Sequence, residues 1–243
     1  MKVLLWAERQ KLKRSKIVWI ATFATIMVTI IVFAQGQFSY GGVSYIDSAE
    51  WFLTAVQSLG TFFVLPAIIA LLGGYMICRE EEEDTLKSLA IIPINEMRLT
   101  IAKMIIALIF SIAIYLVLFI IALSAEALLH FESLALATVY KFFNMYLLTG
   151  IGVFLAVSPI IALVALVKKG YWLALIFAEI YSFLGLFIGS IGKLGAAYPI
   201  IAVFNISGYY EATTIEITIS VITLLLCGII AGGILTTKSR KKN

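Results

Sequence analysis

The sequence predicts an all-α membrane protein with six transmembrane helices and both termini on the cytoplasmic side. Three observations predict it: an excess of apolar residues, six runs of membrane length, and basic residues gathered almost entirely on one side. Hydrophobic residues make up 62% of the 243 positions and charged residues 13%, against roughly 45–50% and about 25% in a soluble domain. A chain of this size in water could not hide that much apolar surface in its own core.

A hydrocarbon core about 30 Å thick takes roughly 20 helical residues to cross. The runs that meet this are Ile17–Phe33, Leu53–Cys78, Leu99–Leu123, Phe142–Val167, Tyr171–Ile191 and Ile217–Thr236. The first is near the lower limit of length, and the second and fourth are long enough to tilt or bend. Helix is the required form, because backbone groups in lipid must be satisfied within the segment, and a barrel would show short alternating strands.

Charge sets the orientation. Lys2, Arg9, Lys11, Lys13, Arg14 and Lys16 precede the first run, and Arg79, Lys87, Arg98 and Lys103 flank the loop after the second. Lys168 and Lys169 follow the fourth, and Lys238, Arg240, Lys241 and Lys242 end the chain, placing 16 of the 18 basic residues on one side. Lys141 and Lys193 fall on the other. The rich side is cytoplasmic by the positive-inside rule, and an even number of spans returns the C-terminus to it. The net charge of +4 sits beside spans, where it meets anionic headgroups, so nucleic acid is excluded as a partner.

A single membrane domain is expected over residues 1–243. Residues 1–16 form a basic interfacial segment, with Trp6 at headgroup level and Lys13, Arg14 and Lys16 at its end. On a helical wheel its apolar residues are not confined to one face. Lys11–Lys16 followed by Ile17–Phe33 has the layout of a signal peptide, and the expectation is that it stays as a signal-anchor span. Cys78 and Cys227 read as small packing residues without a disulfide partner. Ser124–Tyr140 has room for a short surface helix. Gly192–Ile215 holds an apolar stretch, Ala196–Ile206, too short to span and broken by Pro199 and Asn205. It reads as a re-entrant or interfacial segment on the outer side. Gly185/Gly189 and Gly228/Gly232 have the spacing that lets helices approach closely, with packing inside the subunit expected.

The most informative stretch joins the second and third spans: Arg79-Glu80-Glu81-Glu82-Glu83-Asp84-Thr85-Leu86-Lys87-Ser88-Leu89-Ala90-Ile91-Ile92-Pro93-Ile94. Five consecutive acids repel one another and must face water or a basic partner. At a helix start they would also complement the backbone dipole, with Glu83 and Lys87 paired at i, i+4. Leu86, Leu89 and Ala90 share one face, and Pro93 ends the helix. A short cytoplasmic helix over residues 79–93 is expected.

This pattern, with Lys13-Arg14-Ser15-Lys16 before it and Lys103 after it, resembles the permease subunits of ABC-2 type ATP-driven transporters. Size and layout are most similar to small bacterial permeases that export antimicrobial or amphipathic peptides, including bacitracin- and lantibiotic-immunity and phenol-soluble-modulin exporters. The resemblance implies plasma-membrane location and a cytoplasmic ABC ATPase subunit docking on the coupling helix through Glu80, Glu81, Glu82, Glu83, Asp84, Thr85, Leu86, Lys87 and Leu89. It also implies a second permease copy or a related permease as partner, an amphipathic peptide as substrate, and ATP and Mg held by the ATPase rather than by this chain. The sequence agrees in lacking a G-x-x-x-x-G-K-[ST] phosphate loop; Gly192-Lys193 is followed by Leu194.

Catalytic readings fare poorly. A Glu-Glu-x-x-x-Arg protease motif would need arginine where Lys87 stands, and the one histidine, His130, lies in an outer loop. No His/Cys spacing suits a metal. Glu179, near the middle of the fifth span, is a candidate for the translocation pathway, since acids at membrane depth are functional by default. It also supports an alternative, an ion- or proton-coupled secondary transporter. Glu216 is expected to reach water at an outer boundary, and Lys103 to snorkel from the inner end of the third span.

Overall fold

The computed structural model describes residues 1–13, 15–40, 43–82, 96–166, 170–189 and 192–240. Within them the chain is helical apart from one two-residue ladder, Ser39–Tyr40 against Val43–Ser44. The long helices are α1 (Lys2–Lys13), α2 (Lys16–Gly36), α3 (Trp51–Phe63), α4 (Leu65–Glu82), α5 (Glu96–Leu129), α6 (Leu136–Val164), α7 (Leu173–Ile188), α8 (Pro199–Ser207) and α9 (Thr214–Arg240). Among the described residues α2, α5, α6 and α9 are long and apolar enough to cross a membrane, and α3 and α4 are so only when taken together, as a pair bent by 45°. At 16 residues, α7 is about 24 Å long, short of the roughly 30 Å needed.

Local chemistry explains the boundaries. Ser15 is extended and its hydroxyl accepts from the Ile17 amide at 3.2 Å, ending α1 and starting α2. The second span breaks at Val64 (φ −135°), two residues before Pro66, which has no amide to donate back to Phe62. Pro159 lies inside α6 and leaves the Leu155 carbonyl without its helical donor. The Ser158 hydroxyl takes that carbonyl at 2.8 Å, so the helix continues. Thr213 and Glu216 cap α9 reciprocally: the Glu216 carboxylate accepts from the Thr213 amide and hydroxyl, both at 2.8 Å. Glu216 is half-buried by this cap.

Two expected boundaries and one expected exposure differ in the structure. The Ser124–Tyr140 loop holds no separate surface helix: α5 runs on to Leu129, a 3-10 turn covers Phe131–Ser133, and α6 starts at Leu136. Residues 79–82 continue α4 instead of opening a new helix. Lys103 is 4% exposed and turns into the protein rather than snorkelling along its surface.

The core lies where α3, α4, α5, α6 and α8 meet, around Tyr115, Tyr146, Phe52, Phe204 and Ile161. Helix α8, beginning at Pro199 and ended by Gly208 at φ +80°, is buried on all sides between α6 and α9. The 192–215 stretch thus contributes a short internal helix, and Val203 of α8 sits against Gly152, where a Cβ would lie 3.0 Å away. Gly185 and Gly189 admit Phe62, Ile200 and Ile201, the intramolecular packing their spacing predicts. Cys78 and Cys227 are buried free thiols.

Candidate functional site

At one end α1 packs against α5 and borders a small cleft that it shares with α4. The inward stripe of α1 is Leu5, Glu8 and Leu12, with Leu5 and Leu12 on the core and Glu8 2% exposed. An acid in that stripe is what blurred the helical wheel. Glu8 accepts from Lys11 at 2.6 Å and faces a small cleft with Tyr75, Met76 and Arg79, where the Arg79 guanidinium lies 5.5 Å from the Tyr75 ring centre. Trp6, Lys13 and Lys16 point outward, as an interfacial helix requires. Arg14 lies outside the described residues. So do Glu83, Asp84, Thr85, Leu86, Lys87 and Leu89. Glu80, Glu81 and Glu82 are the last described residues of α4.

Inside the bundle, α3, α5 and α6 share a polar seam. The Gln57 amide donates to Thr149 Oγ1 at 2.7 Å, and Thr149 spends its own proton on the Met145 carbonyl at 2.7 Å. Thr61 donates to the Gln57 carbonyl at 2.7 Å, so Tyr115 must be the donor in their 3.0 Å contact. Tyr146 donates to the Leu53 carbonyl at 2.7 Å and Ser111 to the Gly150 carbonyl at 2.6 Å. All six side chains are fully buried. Gln57 Oε1 has no hydrogen-bond partner among the described residues, a cost tolerated where polar groups hold helices in register.

At the opposite end Glu126 is 2% exposed. One of its oxygens accepts from the Glu50 amide at 3.0 Å and contacts His130 Nδ1 at 3.1 Å. Glu50 in turn accepts from Thr138 at 3.2 Å and Lys141 at 3.1 Å. These contacts pin the starts of α3 and α6 to the end of α5. They also hold Glu50 at φ +68°, a conformation L-residues rarely adopt. A wider recess of about 460 Å³ opens beyond it between α7, α8 and α9, with Asn205, Tyr210, Glu211 and Glu216 on its polar side. Burial pushes the Tyr210 phenol up, so it stays a hydrogen-bond donor.

Glu179 sits half-buried on α7, at the border between its packed face (Ala174, Ala178, Ser182, Gly185) and its exposed face. Its Oε2 is enclosed and finds no hydrogen-bond partner among the described residues. The structure therefore brings Trp6, Lys13, Lys16 and Glu80–Glu82 toward one end and leaves Glu179 apart from them. Sequence reasoning missed Gln57, Thr61, Tyr115 and Thr149. Their signal was present, as polar side chains inside apolar runs. Glu50 and Glu126 gave none, being ordinary acids near helix ends.

Comparison with known proteins follows the same outline. The description "ABC-2 family transporter protein" matches residues 4–185, from α1 into the last turn of α7. The bacitracin transport permease protein BCRB of Bacillus licheniformis is 29% identical over 166 residues, covering 67% of this chain and 79% of that protein.

Proposed function

The chain belongs to the ABC-2 family of transporters and is a multi-pass ABC transporter permease subunit; from that premise we propose that it exports amphipathic or antimicrobial peptides. The likeness to a bacitracin permease carries the choice of cargo. Its partner is an ABC ATPase subunit, which supplies ATP and Mg chemistry from a separate chain. In this reading there are six spans, with α7 and its flanking residues as the fifth, and both termini in the cytoplasm of a plasma-membrane protein. The charge asymmetry and the meeting of α1 with α4 and α5 support that orientation.

The ATPase docks on residues 79–93. Glu80 to Asp84 are five consecutive acids that repel one another, and a basic partner surface would offset that repulsion. Glu83, Asp84, Thr85, Leu86, Lys87 and Leu89 complete the contact. Two copies, or this chain with a related permease, enclose the path, and Glu179 contributes a carboxylate to it. Proton- or ion-coupled transport through Glu179 alone is the other reading, and family membership argues against it.

Proteoliposomes carrying this chain and its ATPase test the two. Loss of a fluorescent bacitracin-type peptide from the loaded side should require ATP and both subunits. The same movement driven by a pH gradient without the ATPase would sink the proposal.

A further inference from the structure

Among the described residues an apolar groove of about 570 Å³ lies between α5, α6 and α9. Met97, Ile101, Met104 and Leu108 form one wall, Gly228 and Gly232 the other, and Leu155 the floor. The groove exists because α9 carries glycines there: a Cβ at Gly232 or Gly233 would meet nothing within 4 Å.

Three features define its occupant. First, its three hydroxyls are already spent on their own helices: Thr100 on the Glu96 carbonyl at 3.0 Å, Ser158 on Leu155 at 2.8 Å, and Thr236 on Gly233 at 2.9 Å. The lining therefore offers a ligand almost no hydrogen bond. Second, Met97 and Leu108 are 11 helical steps apart on α5, about 16 Å, which is one leaflet of a core about 30 Å thick. Third, the groove's end lies beside exposed Arg98 on the first turn of α5.

We infer that this groove binds one acyl chain of an anionic phospholipid from the cytoplasmic leaflet, with the headgroup at the Arg98 end. An amphipathic helix is a poorer fit, since its polar face would be left in hydrocarbon. The inference rests on the membrane placement proposed above, but binding can be measured without it.

The test is native mass spectrometry of the full chain in detergent, titrated with palmitoyl-oleoyl phosphatidylglycerol or the matching phosphatidylcholine. The wild type should retain phosphatidylglycerol in preference. Gly232→Leu fills the groove and should lower occupancy by both lipids about tenfold. Arg98→Gln should remove the preference while leaving phosphatidylcholine occupancy intact. If Gly232→Leu does not fold, Gly233→Leu, at an equally open position, repeats the measurement. Undiminished phosphatidylglycerol on a folded filled variant would overturn the inference. So would disulfide dimers of Gly232→Cys in native membranes, because they would put a second copy in the groove. Orientation is read separately, by labelling a cysteine added at the C-terminus in intact cells, so a topology error and a binding error give different results.

Discussion

Replacing Gly150 with alanine probes the closest approach between two helices of the seam. A Cβ there would lie 3.1 Å from Ile112 Cα, 3.2 Å from the Ser111 carbonyl oxygen and 3.3 Å from Tyr115 Cβ. Two of these are backbone atoms and cannot rotate away, whereas carbon atoms prefer about 3.5–4.0 Å. Helices α5 and α6 must therefore separate by a few tenths of an ångström. That stretches the 2.6 Å bond from Ser111 to the Gly150 carbonyl and pulls Thr149 from Gln57. Overpacking costs about 1–3 kcal/mol and a weakened hydrogen bond between membrane helices about 0.6. Alanine also gains roughly 0.5–1 kcal/mol over glycine in any helix interior. Gly232→Ala carries the same gain and meets nothing within 4 Å, so the difference between the two variants isolates the close approach. That difference is about 2–3 kcal/mol, which corresponds to roughly 5–10 °C in melting temperature for a chain of this size. Tryptophan-fluorescence melting of both purified variants in one detergent measures it. Equal melting temperatures would mean that the α5–α6 contact is looser than these distances require.

Charge reversal by Glu82→Lys with Glu83→Lys should abolish co-purification of the ATPase subunit; full capture would move docking elsewhere. Glu179→Gln should slow peptide export severalfold while leaving assembly with the ATPase intact, as read by transport and size exclusion together; wild-type export would remove Glu179 from the path. Glu126→Leu leaves the Glu50 amide and His130 without their acceptor, at a cost of about 1–3 kcal/mol. Hydrogen exchange should quicken at the first turn of α3, and an unchanged rate there would count against the outer pin. The purified chain alone should hydrolyse no ATP, and robust turnover without a partner would contradict the division between subunits.

Much of this architecture is written in the hydropathy of the chain, because lipid tolerates few alternatives to a long apolar helix. Helix ends were harder to place. The third apolar run stops at Leu123, yet α5 continues to Leu129 because Glu126 turns inward onto the Glu50 amide. Its polarity reads as a boundary only when that partner is unknown. Lys103 misled in the same way, since its length permits snorkelling and burial alike. The break at Val64 has a local cause in Pro66, and the expectation that the long second span could bend was sound. The seam could not be read: Gln57 and Thr149 are 92 positions apart, and nothing in either neighbourhood names the other. For Glu80–Glu82 the composition was clear and the register was not. They continue α4, where their acidity alone reads as a helix start.

The bend also divides the second span mechanically. Above Val64, α3 is fixed by directional bonds from Gln57 and Thr61 to two other helices. Below it, α4 touches its neighbours mainly through shape. Gly73 admits Ile161 of α6, with a Cβ position only 2.5 Å from that side chain, and Gly74 admits Ala174 of α7 and the Tyr171 carbonyl just before that helix, both at 3.2 Å. Cys78 Sγ donates weakly to the Val164 carbonyl of α6 at 3.9 Å. Such contacts resist separation but allow sliding, because van der Waals surfaces have no preferred donor–acceptor line. If an ATPase acts on residues 79–93 as proposed, its displacement would pass along α4 into α7, the helix bearing Glu179. It would stop at the seam, where moving α3 means breaking buried hydrogen bonds in a setting without water to replace them.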